Sequence, residues 1–149
     1  MKIKANKVIF SNKDTFSLDS VLAPVILAGL KKFKNVLVER NNKGKVFGVP
    51  ADFCNEEGSD VEQGFKKWLE TLDQMIYAFD INNEPDISKY DFKYDLIPEN
   101  KDSRGRTAYG VSCTNTSAKA RYECDMEIHQ MKVDNGLKLF AKHFQDLWW

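Results

Sequence analysis

Between Val61 and Phe79, the apolar residues Val61, Phe65, Trp68, Leu69, Leu72, Met75, Ile76 and Phe79 recur at intervals of three and four, with Lys66, Lys67, Glu70 and Asp73 opposite them. That spacing draws one continuous apolar stripe along a helix and does not fit the alternation of a half-buried strand. Ser59 to Glu62 reads as a capping box in front of it. A helix with so long a stripe must bury it against other elements, so the rest of the chain has to supply partners.

Two further segments answer that need. Leu18, Val21, Leu22, Val25, Ile26, Leu30 and Phe33 share one helical face, with Ser17 or Asp19 as N-cap and Pro24 close enough to the first turn to be tolerated. Tyr122, Met126, His129, Val133, Leu137, Phe140, Phe144 and Leu147 form a third face behind a cap at Thr116 or Ser117. Asp134, Asn135 and Gly136 are poor helix formers within it, so one bent helix and two abutting ones both remain open. The final residues Phe144, Leu147, Trp148 and Trp149 are expected to dock on the chain's own core or on another subunit. Two terminal tryptophans exceed what a short turn buries alone, and a homo-oligomer is expected on that ground.

The remaining stretches read as strand and loop. Lys2 to Phe10 suits a short strand or an extended lead-in, and two β-branched runs between Asn35 and Pro50 flank Asn41 to Gly44 as a short hairpin. From Asp80 to Thr116 no amphipathic period survives, and the segment reads as one long loop. Tyr90, Phe92, Tyr94 and Tyr109 give that loop a means of packing down, and Thr107 to Cys113 suits a short strand. The expectation is a mainly α (α+β) fold in a single domain, 1–149: three principal amphipathic helices forming one core, a short β-hairpin and one long loop.

At 149 residues a single core suffices. No stretch approaches the ~20 apolar residues of a membrane span, and the basic opening from Met1 to Lys7 lacks the apolar run of a signal peptide. Cys54, Cys113 and Cys124 are odd in number and irregularly spaced, which points to free thiols in a reducing cytoplasm. Net charge is zero, yet residues 1–50 carry 10 basic against 3 acidic side chains, residues 51–99 carry 4 against 13, and residues 100–149 carry 8 against 6. Folding either mixes these charges or leaves unlike faces, suited to a phosphate-bearing ligand or to self-association.

Catalytic patterns are missing. His129 and His143 stand fourteen residues apart without a metal-binding motif, no cysteine pair has ligand spacing, and no cysteine carries a nucleophile signature. His129, on the apolar stripe, is expected in the core or an interface. Glu123, Asp125 and Glu127 read as a solvated helix face rather than a two-metal site. Phosphate recognition has better support. Arg104 and Arg106 flank Gly105, hydroxyls crowd Ser112 to Ser117, and Lys119 and Arg121 enter a helix start. Guanidinium forks, hydroxyls and helix N-termini all hold phosphates, and Tyr109 would stack on a base. The equally plain alternative is a hydroxyl-rich solvated loop.

Leu18, Asp19, Leu22, Ala23 and Ile26 followed by Gly29 to Phe33, Trp68, Leu69, Leu72 and Asp73 followed by Met75, Ile76, Ala78 and Phe79, and Gly136, Leu137, Leu139, Phe140, Phe144, Leu147 and Trp148 come in an order that resembles a group of small tailed-bacteriophage proteins. The matched residues are of core type, so the resemblance bears on fold and origin and assigns no catalytic residue. It implies a counter-defence factor in the host cytoplasm that sequesters a cyclic-nucleotide-like immune signal without cleaving it. The alternatives are a protein–protein inhibitor of a host defence or metabolic enzyme and a signal-degrading phosphodiesterase. On this reading no catalytic residue, cofactor, metal, membrane or nucleic acid is involved. The partners are a nucleotide-like small molecule, met by Arg104, Arg106, Tyr109, Lys119 and Arg121, and further copies of the chain.

Overall fold

The computed structural model describes residues 2–4, 7–9, 11–44, 48–53, 61–101 and 103–147, and its fold is mainly helical with paired antiparallel strands. Strands β1 (Lys2–Lys4) and β2 (Lys7–Ile9) form a minimal antiparallel pair, followed by α1 (Leu18–Asn41) and α2 (Val61–Phe79). Strands β3 (Tyr94–Lys101) and β4 (Thr107–Cys113) precede the long helix α3 (Thr116–His143). The chain divides into two compact units, residues 1–83 with 132–149 and residues 84–131.

In the first unit, the stripe on α2 does what its period dictates. Phe65, Trp68, Leu72 and Met75 are buried, and with Leu30 and Leu37 of α1 they make the core. Phe79, Leu139, Phe140 and Leu147 pack partly buried against it. Phe144 departs from the expected core: it is 63% exposed, with its ring 5.5 Å from that of Phe140. Trp68 sits among the Phe53 and His143 rings at 5.3 and 5.4 Å, and His143 is itself buried with Nδ1 2.8 Å from Asp146.

The first run of the hairpin expected between Asn35 and Pro50 is helix, and Lys45 to Phe47 of its second run lie outside the described residues. α1 continues to Asn41 because Leu37 is fully buried, and this packing outweighs the strand preference of Val36 and Val38. Asn41 to Gly44 is the end of that helix rather than a hairpin loop. The Asn42 amide donates to the Val38 carbonyl, the Gly44 amide to the Asn41 carbonyl, and Gly44 takes a φ of 71° that suits a helix terminus. Ser17 precedes α1 without a side-chain capping bond. Ser59 and Asp60 of the expected capping box lie outside the described residues, as do Trp148 and Trp149.

Folding also brings the unlike thirds of the chain together. Lys31 donates to Asp80 at 2.9 Å and Lys34 to Asp73 at 2.5 Å, so α1 lysines meet acidic groups on and just after α2. Helix α3 runs unbroken through Gly136. A Cβ on that glycine would lie 2.6 Å from Ala78 Cβ and closer still to the Gln74 carbonyl oxygen, so the glycine permits α3 to approach the α2 backbone. Beside it, Asn135 donates to the Gln74 side chain at 2.6 Å, and the Lys132 ammonium lies 5.4 Å from the centre of the Tyr77 ring.

Candidate binding surface

Residues 84–131 contain most of the segment, Asp80 to Thr116, expected as one long loop, and much of it is a β-hairpin. Strands β3 and β4 pair antiparallel, with Tyr94 opposite Cys113, Leu96 opposite Val111 and Pro98 opposite Tyr109. A register shift between Pro98 and Lys101 puts a bulge at the far end, and Gly105, with a φ of 75°, turns the chain back.

The hairpin base is anchored. The Thr114 amide donates to the Lys93 carbonyl at 2.8 Å, and the Asn115 side chain donates to the Asp91 carbonyl at 2.7 Å. Asn115 also accepts from the Ala118 amide at 3.2 Å, so the cap of α3 is Asn115 rather than Thr116 or Ser117. Tyr122 meets Tyr90 and Phe92 edge-on at 5.2 and 5.6 Å, and Phe92 stacks on Tyr94. Tyr90 donates its hydroxyl to Asp125 at 2.5 Å, a bond that pushes the phenol pKa up, with partial desolvation adding to it. Tyr90 and Phe92 thus pack down as expected, whereas Tyr109 is 60% exposed and Tyr94, although stacked on Phe92, is 56% exposed.

The five candidate ligand residues fall into two groups. Arg104 and Arg106 flank the Gly105 turn, with Tyr109 two residues into β4. Lys119 and Arg121 lie beyond the opposite end of that strand, in the first turns of α3. The strand between them spans roughly 20 Å, so the arginine pair and the helix start do not converge around one small ligand. Lys119 pairs with Glu123 at 3.7 Å, and Asn115 already serves one of the helix's leading amides.

The feature that sequence reading missed is apolar. Tyr94, Leu96, Tyr109 and Val111 project to one face of the hairpin through their cross-strand pairing, and each is more than half exposed. Together they offer on the order of 400–500 Å² of surface, at the upper end of what a monomer ordinarily leaves open. Its signal in the sequence is the alternation of Tyr94, Leu96 and Pro98, mirrored by Tyr109, Val111 and Cys113.

A second apolar feature belongs to the first unit. A groove of about 490 Å³ is lined by Ile26, Leu30, Phe33, Val36, Phe140 and Phe144 among others, with Lys32 as its one charged lining residue among those described. Among the described residues no group of three or more His, Cys, Asp or Glu side chains is placed to hold a metal ion, and no helix is long and apolar enough to cross a membrane. Compared with family models, curated proteins and solved structures, the chain matches none.

Proposed function

We propose that this chain works by contact rather than catalysis, as a protein-directed binding factor that presents the apolar face of the β3–β4 hairpin to a target protein. The observation that carries this reading is the exposure of Tyr94, Leu96, Tyr109 and Val111 on one face of a two-stranded sheet. Aromatic and aliphatic side chains on a sheet anchored at its base are suited to desolvate against a partner surface. The resemblance to phage proteins supports a host enzyme as that partner, met in the cytoplasm of an infected cell. The test places a photo-crosslinking amino acid at Leu96 and, as control, at Glu123. A single host protein crosslinked from Leu96, displaced by excess wild-type chain but not by Leu96→Lys, is expected. Equal labelling from both positions would defeat the reading.

A second reading, sequestration of a cyclic-nucleotide-like signal, is favoured by Arg104, Arg106 and Tyr109, exposed together near the hairpin turn. Calorimetric titration with a panel of cyclic nucleotides tests it. Intact ligand bound with a Kd below ~100 μM supports it, and a linearised product would indicate a phosphodiesterase instead.

A further inference from the structure

We infer that a second copy of this chain pairs antiparallel with the outer edge of β4, closing a two-fold dimer around a four-stranded sheet. The backbone phase of the hairpin decides which groups are offered. Thr114 donates its amide to the Lys93 carbonyl, so in the alternating antiparallel pattern the Asp95–Ser112 and Ile97–Gly110 pairs are the mutually bonded ones. Tyr109, Val111 and Cys113 then direct their N–H and C=O groups away from β3, as do Tyr94, Leu96 and Pro98 away from β4. Among the described residues this sheet has two strands, so both rows lie at sheet edges.

The two edges are not equivalent. On β3, Pro98 has no amide to offer at an outward position, a bulge follows it, and Asp95, Glu99 and Lys101 lie along the strand. Each of these discourages strand addition. β4, from Thr107 to Cys113, has no charge, no proline and no bulge. It is a strand prepared for pairing.

The same asymmetry selects the occupant. Pairing β4 of one copy with β3 of the next would be head-to-tail and open-ended, and Pro98 obstructs it. Pairing β4 with β4 about a two-fold axis closes after two copies, and an uncharged strand opposes no like charges when paired with itself. It also brings the Arg104–Arg106 end of one hairpin toward the Asp95 end of the other, while Lys93 at that end is engaged by Asp91 at 3.4 Å. The dimer doubles the width of the apolar face without covering it, so this inference holds whatever that face binds.

Sedimentation velocity between ~1 and ~100 μM is expected to show wild type moving toward twice its 17.2 kDa. Val111→Pro removes an outward amide while sparing the bonds to β3, and should weaken the dimer at least ~10-fold. Leu96→Lys, on the same face but on β3, should leave it intact. Amide exchange of the wild-type chain supplies a reading that needs no variant to fold: protection at Tyr109, Val111 and Cys113 should rise with protein concentration. A wild type that stays monomeric at ~100 μM, concentration-independent exchange at these three amides, or a dimer lost with Leu96→Lys and kept with Val111→Pro would overturn edge pairing.

Discussion

Gly136 of α3 lies against the Gln74 carbonyl of α2, with room for a hydrogen where every other residue has a Cβ. In an exposed helix, Gly→Ala gains about 1 kcal/mol. Here the obstruction is backbone, which cannot rotate aside. Gly136→Ala is therefore expected to destabilise the chain by a net ~1–3 kcal/mol in urea unfolding, despite its better helix propensity. A stabilised variant would show that α3 does not approach α2 so closely.

The core makes a complementary prediction. Leu72 is fully buried between Trp68 and Met75 on the same stripe, so Leu72→Ala should cost ~2–5 kcal/mol. Phe144→Ala should cost less than half as much, since its ring is largely exposed. Equal losses at the two positions would place Phe144 in the core after all.

Much of the helical framework was legible because α2 carries its period openly, whereas Leu137 and Phe144 of the face expected on the last helical segment are exposed. Where the reading failed, local chemistry and packing disagreed. Val36, Val38 and the Asn41–Gly44 run favour a hairpin locally, yet burying Leu30 and Leu37 keeps the segment helical. The true hairpin was obscured because Pro98, Asp95 and Glu99 interrupt the apolar content of β3, and its pairing with β4 becomes evident only when the two strands are aligned. At the candidate surface, the turn chemistry around Gly105 was readable. That Arg104 and Arg106 are separated from Lys119 and Arg121 by a whole strand was not, since hydroxyls and cations have no period.

Tyr90 supplies a test at alkaline pH. Its hydrogen bond to Asp125 raises the phenol pKa above 10.0, so protonated Tyr90 is favoured by folding. The contribution is fully present below about pH 10, and is lost as pH rises through the elevated folded value. Spectrophotometric titration of the five tyrosines should show one ionising later than its unperturbed value, and Tyr90→Phe should remove that late step. Asp125→Asn should move it back toward the ordinary range. An unchanged late step in Tyr90→Phe would assign it elsewhere.

Acid should act on the other unit. Asp80 accepts from Lys31 and from Asn82, side chain and backbone, and these bonds hold its carboxyl below the usual value of 3.8. Because the folded pKa is the lower one, the contribution is present above about pH 4 and disappears as pH falls through the depressed value. Asp80→Asn should therefore be less stable than wild type at neutral pH, with the difference shrinking below pH 4. A difference independent of pH would mean that the carboxylate's charge plays no part.

The hairpin face should be separable from the residues that hold it in place. Leu96 is 68% exposed and Val111, directly opposite, equally so, which means that neither contributes much to folding. Replacing Leu96 by Lys should shift stability by no more than ~0.5 kcal/mol, while adding charge to the surface proposed to meet a target. Phe92 contrasts with it: its ring joins Tyr90, Tyr94 and Tyr122 at the hairpin base, and Phe92→Ala should cost about 2 kcal/mol or more. Thermal unfolding measured beside target crosslinking checks both. A Leu96→Lys chain that retains its melting temperature and fails to displace the target from the crosslinking chain assigns the face to binding. One that melts as Phe92→Ala does would make Leu96 part of the hairpin's own support, and the apolar face could then no longer be read as an exposed binding surface.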